Sequence, residues 1–267
     1  LCGGSQLFRT IRNHILGCGV LVVAASGAAH AADLNRSYEA DASSSSAKSI
    51  VTFSGADWAK DASYFYSGAI LALNRDISRD GFRLRGFAGV PLYEYRGDDW
   101  TKFDGDGVQA DVMIGYSWIR PFVTFSAYIG VDYQDYDITP HDPHSKVTGS
   151  ETGFKVSADL TSAYDSPFYF NFIGSYSTAF DSYWTRGRIG YNSGRFVIGP
   201  EAIAMGNDGF RAHRFGGFAS IRMELTSGVH SEISAHVGHQ WVDEDKGGGN
   251  YQGGEGTYGG VGFSLVF

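Results

Sequence analysis

Val123-Thr-Phe-Ser-Ala-Tyr-Ile-Gly-Val-Asp-Tyr-Gln-Asp-Tyr136 changes face at every residue. Val123, Phe125, Ala127, Ile129, Val131 and Tyr133 fall on one side, and Thr124, Ser126, Tyr128, Gly130, Asp132 and Gln134 on the other. A period of two is the signature of a β-strand with one apolar and one polar face. The stretch is also long. A strand of a soluble sandwich averages about 5 or 6 residues, whereas a tilted strand crossing a bilayer needs about 9–11.

The same alternation recurs on both sides of this stretch. Val108, Ala110, Val112, Ile114, Tyr116 and Trp118 oppose Gln109, Asp111, Met113, Gly115 and Ser117. Thr152, Phe154, Val156, Ala158 and Leu160 oppose Gly153, Lys155, Ser157 and Asp159. Val229, Ile233, Ala235, Val237 and Trp241 oppose His230, Glu232, Ser234, His236 and Gln240. About twelve such runs cover 49–56, 62–74, 81–95, 105–119, 121–137, 150–162, 167–180, 182–192, 195–205, 210–225, 229–242 and 256–267. No stretch after the first thirty residues approaches the 18 apolar residues of a helical span. The pattern predicts an all-β fold, an antiparallel up-and-down transmembrane β-barrel of the outer-membrane type with about 12 strands. A secreted jelly roll or a lipocalin-like barrel is the competing architecture.

Connection lengths give an independent test. Outer-membrane barrels have short periplasmic turns and long external loops. If the first strand runs outward, the even-numbered connections are periplasmic. These are short at 120–121, 163–166, 192–194 and 226–228, and only a little longer at 75–80. The long polar connections 96–104, 138–149 and 243–255 are all odd-numbered. Two further odd-numbered connections, 181–182 and 206–209, are short. The chain ends Val261-Gly-Phe-Ser-Leu-Val-Phe267, with Phe263, Leu265 and the final Phe267 in one register, the pattern expected of a barrel assembly signal.

Residues 1–31 read as a secretory signal: Arg9 and Arg12, an apolar run from Ile15 to Ala29, then the small-x-small site Ala29-His-Ala31. The run is too short to span a bilayer. Cleavage after Ala31 removes both cysteines, Cys2 and Cys18, so disulfides and thiolate chemistry are excluded from the mature chain. It also removes Arg9 and Arg12, lowering the net charge from −8 to −10. An acidic balance argues against a nucleic-acid partner. Residues 32–48, with four consecutive serines at 43–46, read as a polar tail before a barrel over 49–267.

Composition fits this reading. Gly contributes 37 of 267 residues, about twice ordinary usage. Gly86, Gly115, Gly130, Gly174, Gly190, Gly217 and Gly262 lie mid-run, where they are expected to relieve crowding on the inner wall. A mean hydropathy of −0.18 is what one polar face and one apolar face average to. Tyr93, Tyr95, Trp118, Tyr133, Tyr136, Trp184 and Trp241, near run ends, are the expected membrane girdle. The polar register assigns Arg83, Arg85, Asp111, Asp132, Lys155, Asp159, Arg186, Arg188, Glu201, Arg214, Arg222, Glu224, His230, Glu232 and His236 to the lumen. Such an interior either braces the wall through paired charges or forms a conduit or groove for a saccharide, with rings for stacking and charges for hydroxyls.

Catalytic signatures are sparse. His141, Asp142, His144 and Ser145 share one loop, but Pro140 and Pro143 break it, and a catalytic group needs rigid support. Asp98, Asp99, Asp104 and Asp106 lack the spacing of a Ca²⁺ loop. Lys246 to Gly254 is a glycine-rich loop with no helix after it to cradle phosphate. No nucleophile elbow, zincin helix or P-loop motif occurs. The expectation is a protein without catalytic residues, metal or cofactor. A general porin and an enzyme acting on lipid or polysaccharide through His141, His144 or Ser145 stay open as alternatives.

Several stretches together resemble one family. They are Ser54-Gly-Ala-Asp57, the run 111–116, Tyr128-Ile-Gly-Val-Asp-Tyr-Gln-Asp135, Gly149-Ser-Glu-Thr-Gly-Phe-Lys-Val156, Gly174-Ser-Tyr-Ser-Thr-Ala-Phe180, Gly199-Pro-Glu201 and Gly206-Asn-Asp-Gly-Phe210. From about residue 50 onward the chain resembles the cellulose biosynthesis protein BcsS family of Gram-negative bacteria. The resemblance carries no catalytic residue set. It implies association with a cellulose synthesis and secretion system, as an accessory protein of the cell envelope. Outer-membrane lipid around the barrel, and cellulose and other secretion components, are the expected partners.

Overall fold

The computed structural model describes residues 47–97, 100–163, 166–226, 228–243 and 254–267. The signal segment 1–31, nearly all of the tail and most of the glycine-rich loop lie outside the described residues. Twelve strands form one closed barrel in which each pairs antiparallel with its sequence neighbours and the last pairs with the first. They are β1 (Ile50–Ala59), β2 (Ala62–Ala72), β3 (Gly81–Arg96), β4 (Lys102–Arg120), β5 (Val123–Thr139) and β6 (Gly149–Ser162). The second half holds β7 (Phe168–Ser177), β8 (Ser182–Asn192), β9 (Phe196–Gly206), β10 (Arg211–Thr226), β11 (Val229–Val242) and β12 (Gly256–Val266). All twelve alternating runs therefore become strands. A 3₁₀ turn at Ala179–Asp181 is the one helical element among the described residues. Closure leaves no sheet edge to pair with a second chain.

Register sets the tilt. A row begun at Val51 passes through Ile70, Arg85, Met113, Gly130, Lys155 and Ser177. Followed round the wall, it returns to β1 about 14 residues farther along. A stagger of that size over twelve strands corresponds to a tilt of roughly 40°, within the range of membrane barrels. Two prolines mark the gaps in the ladders. The β3–β4 pairing skips Val90 and Pro91, and the β8–β9 pairing skips Gly199 and Pro200, because proline has no N–H to donate.

The two faces separate sharply. Phe82 and Leu84 of β3, Val112 and Ile114 of β4, Ile129 and Val131 of β5, Phe154 of β6, Phe172 of β7, Ile198 of β9 and Val237 of β11 are all exposed on the outside. An apolar belt this continuous is an aggregation surface in water and a solvated one in hydrocarbon. Phe263, Leu265 and Phe267 belong to the outward register of the closing strand, and Phe267 is exposed.

Glycine placement is more varied than the expectation of inner-wall relief. At Gly130 the rule holds, since an added Cβ would fall 2.1 Å from the Val112 carbonyl oxygen and 2.6 Å from Met113 Cα. Gly86, Gly174 and Gly217 instead face outward. A Cβ would meet nothing within 4 Å at Gly86, and nothing closer than 3.6 Å at the other two. Their cause is not crowding.

Candidate functional site

The lumen is filled by ionic side chains that meet in three groups. In the first, Lys155 of β6 lies between two carboxylates, with Nζ 2.8 Å from Asp111 Oδ2 and 3.1 Å from Asp132 Oδ1. Asp111 and Asp132 are direct cross-strand partners. Side by side and unpaired they would repel, and the ammonium between them removes that penalty. Arg85 approaches Asp111 Oδ2 at 3.6 Å and donates to Ser157 Oγ at 3.3 Å. Gln134 Nε2 donates to Asp132 Oδ2 at 2.7 Å.

The second group joins β7 to β12 and β1. Arg188 Nε donates to Glu201 Oε2, and Tyr258 OH donates to Glu201 Oε1 at 3.3 Å. Arg186 reaches the same carboxylate at 4.0 Å and donates to Asn171 Oδ1 at 3.2 Å. His236 bridges onward, with Nδ1 3.3 Å from Arg188 Nη2 and Nε2 2.8 Å from Asp57 Oδ1. Arg214 lies 3.7 Å from Asp57 and donates to Gln240 Oε1 at 2.6 Å. The third group is Arg222 donating to Glu232 Oε2 at 2.9 Å, with its guanidinium over the Tyr169 ring.

Both ends are capped. At the end of the barrel that carries the short turns, the 73–80 turn folds into the mouth. Ile77, 2% exposed, packs with Val51, Phe53, Ile70, Ala72 and Val266. Arg83, wholly buried, holds this turn by donating to the Ile77 and Arg79 carbonyls and to Asn74 Oδ1. At the opposite end Val147 and Phe180 close over Tyr136, with Tyr93 beside them. Tyr95, Phe103 and Ile138 form a neighbouring cluster. Tyr95 OH donates to Asp142 Oδ2 at 2.6 Å and so ties the 140–148 loop down.

Fourteen of the fifteen residues assigned to the lumen by alternation sit within it, Asp159 buried and His230 half-buried among them. Glu224 is corrected: it is exposed at the last pleat of β10, where Oε1 accepts the Gly228 N–H at 3.2 Å and braces the turn into β11. Arg83 is placed inside as expected but serves the turn and joins no ion pair across the lumen. The girdle expectation divides. Trp118, Tyr133 and Trp241 face outward. Tyr93, Tyr95, Tyr136 and Trp184 face inward and are corrected. Trp184 shares its register with Arg186, whose guanidinium lies 5.8 Å from its ring. Sequence reading overlooked Asp57 and Tyr258, and also Gln109, which accepts from Tyr64 OH at 2.7 Å and donates to Gln134 Oε1 at 3.4 Å, although all share the inward parity of their strands.

The 140–148 loop has structural partners. Asp142 accepts from Tyr95 OH and from the His144 backbone N–H, and Ser145 Oγ bonds to the Val147 backbone. His144 is 83% exposed at its side chain and 3.7 Å from Asp142. Among the described residues, no three His, Cys, Asp or Glu are placed to hold a metal ion.

These features define a class: a closed twelve-stranded antiparallel barrel, apolar outside and filled with paired charges inside. The chain belongs to the family described as "Cellulose biosynthesis protein BcsS", whose model matches residues 51–267. Among solved structures it is similar to a KdgM porin, at 10% identity and a TM-score of 0.45 over 82% of this chain and 99% of that one. A FadL homologue of Pseudomonas aeruginosa is similar at 9% identity and a TM-score of 0.37, over 77% of this chain and 67% of that one. No curated protein matches the chain.

Proposed function

We propose that this protein is a non-enzymatic accessory of cellulose production, seated in the outer membrane after export through a cleaved signal peptide. In this reading it anchors cellulose, or the apparatus that secretes it, at the cell surface. The observation that carries the reading is the interior. Glu201 is 1% exposed, Glu232 1%, Asp132 0% and Arg188 1%, because their neighbours occupy the lumen. A wall this tightly filled favours a scaffold over a route for solute or polymer. The apolar belt supports placement in a membrane, and family membership supplies the link to cellulose. Contact with the polymer then falls to the external loops, which the barrel holds at a fixed height above the lipid.

The experiment is deletion of the gene in its native host. Loss of cell-attached cellulose, with released polymer unchanged or raised, is the expected result. Unchanged amount, attachment and texture of extracellular cellulose would reject the proposal.

A further inference from the structure

The β3–β4 hairpin stands above its surroundings. Along the outside of β3 the apolar series Phe82, Leu84, Val90 and Leu92 gives way to Glu94 and Arg96. Along β4 it gives way, beyond Val108, to Asp106, Asp104 and Lys102. The ladder continues to the pair Arg96–Lys102. Gly97 therefore lies five residues past the apolar belt, roughly 17 Å along the strand and about 12 Å higher at the barrel's tilt.

Trp100 sits at this tip, 65% exposed, with φ = 64°. Its N–H donates to the Gly97 carbonyl at 2.9 Å, and the Gly97 N–H donates to the Thr101 carbonyl at 3.1 Å. A hairpin loop position with positive φ ordinarily goes to glycine or asparagine, since any Cβ is crowded there. A bulky aromatic residue is the least suited to it. The barrel recovers nothing from the choice, because the ring is largely uncovered. Nor is Trp100 a girdle residue, because Trp118, Tyr133 and Trp241 mark the belt's edges and it stands well clear of the lipid. An unfavourable, exposed tryptophan points to a reason outside the chain.

We propose that Trp100 is a stacking platform for a glucopyranose ring of a β-linked glucan. This rests on the reading that the external loops contact cellulose, and names where. A β-linked glucose unit carries its hydroxyls equatorially. Both ring faces are therefore C–H surfaces that lie flat on an indole, while the edges present donors and acceptors. The strand ends beside Trp100 offer the complementary groups. Arg96 is exposed, and its Nη1 lies 3.5 Å from the Trp100 carbonyl. Lys102 and Glu94 form an exposed pair at 2.9 Å.

The test is binding of cellohexaose to the membrane-extracted protein by calorimetry, with heat-modifiable gel migration as the fold control. W100A and W100G are expected to weaken binding about tenfold while W100F keeps most of it. W100G removes the Cβ at positive φ whereas W100A keeps it, so the two variants together separate loss of the ring from relief of the backbone. If W100G binds like the parent protein, Trp100 is not the platform, although glucan contact elsewhere survives. If the parent protein binds no cellohexaose, both the platform and direct glucan contact fall. If W100F loses as much as W100G, the ring does not act by stacking, and the proposal falls.

Discussion

Lys155 shows how the interior depends on single residues. Its ammonium is the shared counter-charge of Asp111 and Asp132, two buried carboxylates paired across β4 and β5. Removing one partner of a buried ionic group leaves the other uncompensated, at a cost of about 3–5 kcal/mol. Lys155→Met should therefore lower the unfolding midpoint in detergent and urea, and Lys155→Met with Asp132→Asn should recover part of the loss. A Lys155→Met protein as stable as the parent would mean that the two carboxylates do not depend on the ammonium, and the network description would be wrong. Trp100 makes the opposite case at the same scale. Trp100→Gly should leave the barrel as stable as before, or firmer by about 1 kcal/mol, because a Cβ at positive φ is removed and almost no packing is lost.

At the scale of elements, the 73–80 turn is a built plug as well as a connection. Its inner side is pinned by Arg83. Its outer side is pinned by Asp80, whose carboxylate accepts from Arg120 Nη1 at 2.8 Å and from the Ile119 N–H at 2.7 Å. The Arg120 hydrogen bond, then the Ile119 N–H, hold the Asp80 carboxyl below the usual carboxylate range. The unfolded chain thus takes up this proton first as pH falls. The contribution is whole above the ordinary carboxylate value and is lost as pH drops through the lowered one. Because Asp80 is exposed, the effect is small. Asp80→Asn should lower neutral stability slightly, leave stability below the lowered carboxyl value unchanged, and so flatten the acid limb below about pH 4. An unaltered acid limb would show that the turn is held by Arg83 and Ile77 alone. The strands themselves were legible in the sequence because alternation is local: Val123 to Tyr136 declares its two faces without reference to any other residue. The aromatic girdle was less legible. Tyr95, Tyr136 and Trp184 were placed outside by their position near strand ends, whereas parity puts them on the inward register of Arg83, Asp132 and Arg186. Which carboxylate meets which cation was not legible at all. The contact of His236 with Asp57, 179 residues apart, exists only once β12 has closed the barrel onto β1.

For the whole molecule, twelve strands and a stagger of about 14 give a cylinder that is neither the narrowest kind nor a wide porin. Charge pairs, ring–cation contacts and two end caps fill it. The apolar outer belt suits this cylinder to hydrocarbon, and the β3–β4 ladder, which continues to the pair Arg96–Lys102, carries one hairpin past the belt. In the proposed reading function belongs to the rim, and the lumen keeps the rim rigid. Planar-bilayer recording of the purified barrel tests this division most directly. The account predicts no steady conductance after insertion. A steady, ohmic, single-channel conductance would contradict it and make the lumen a pathway.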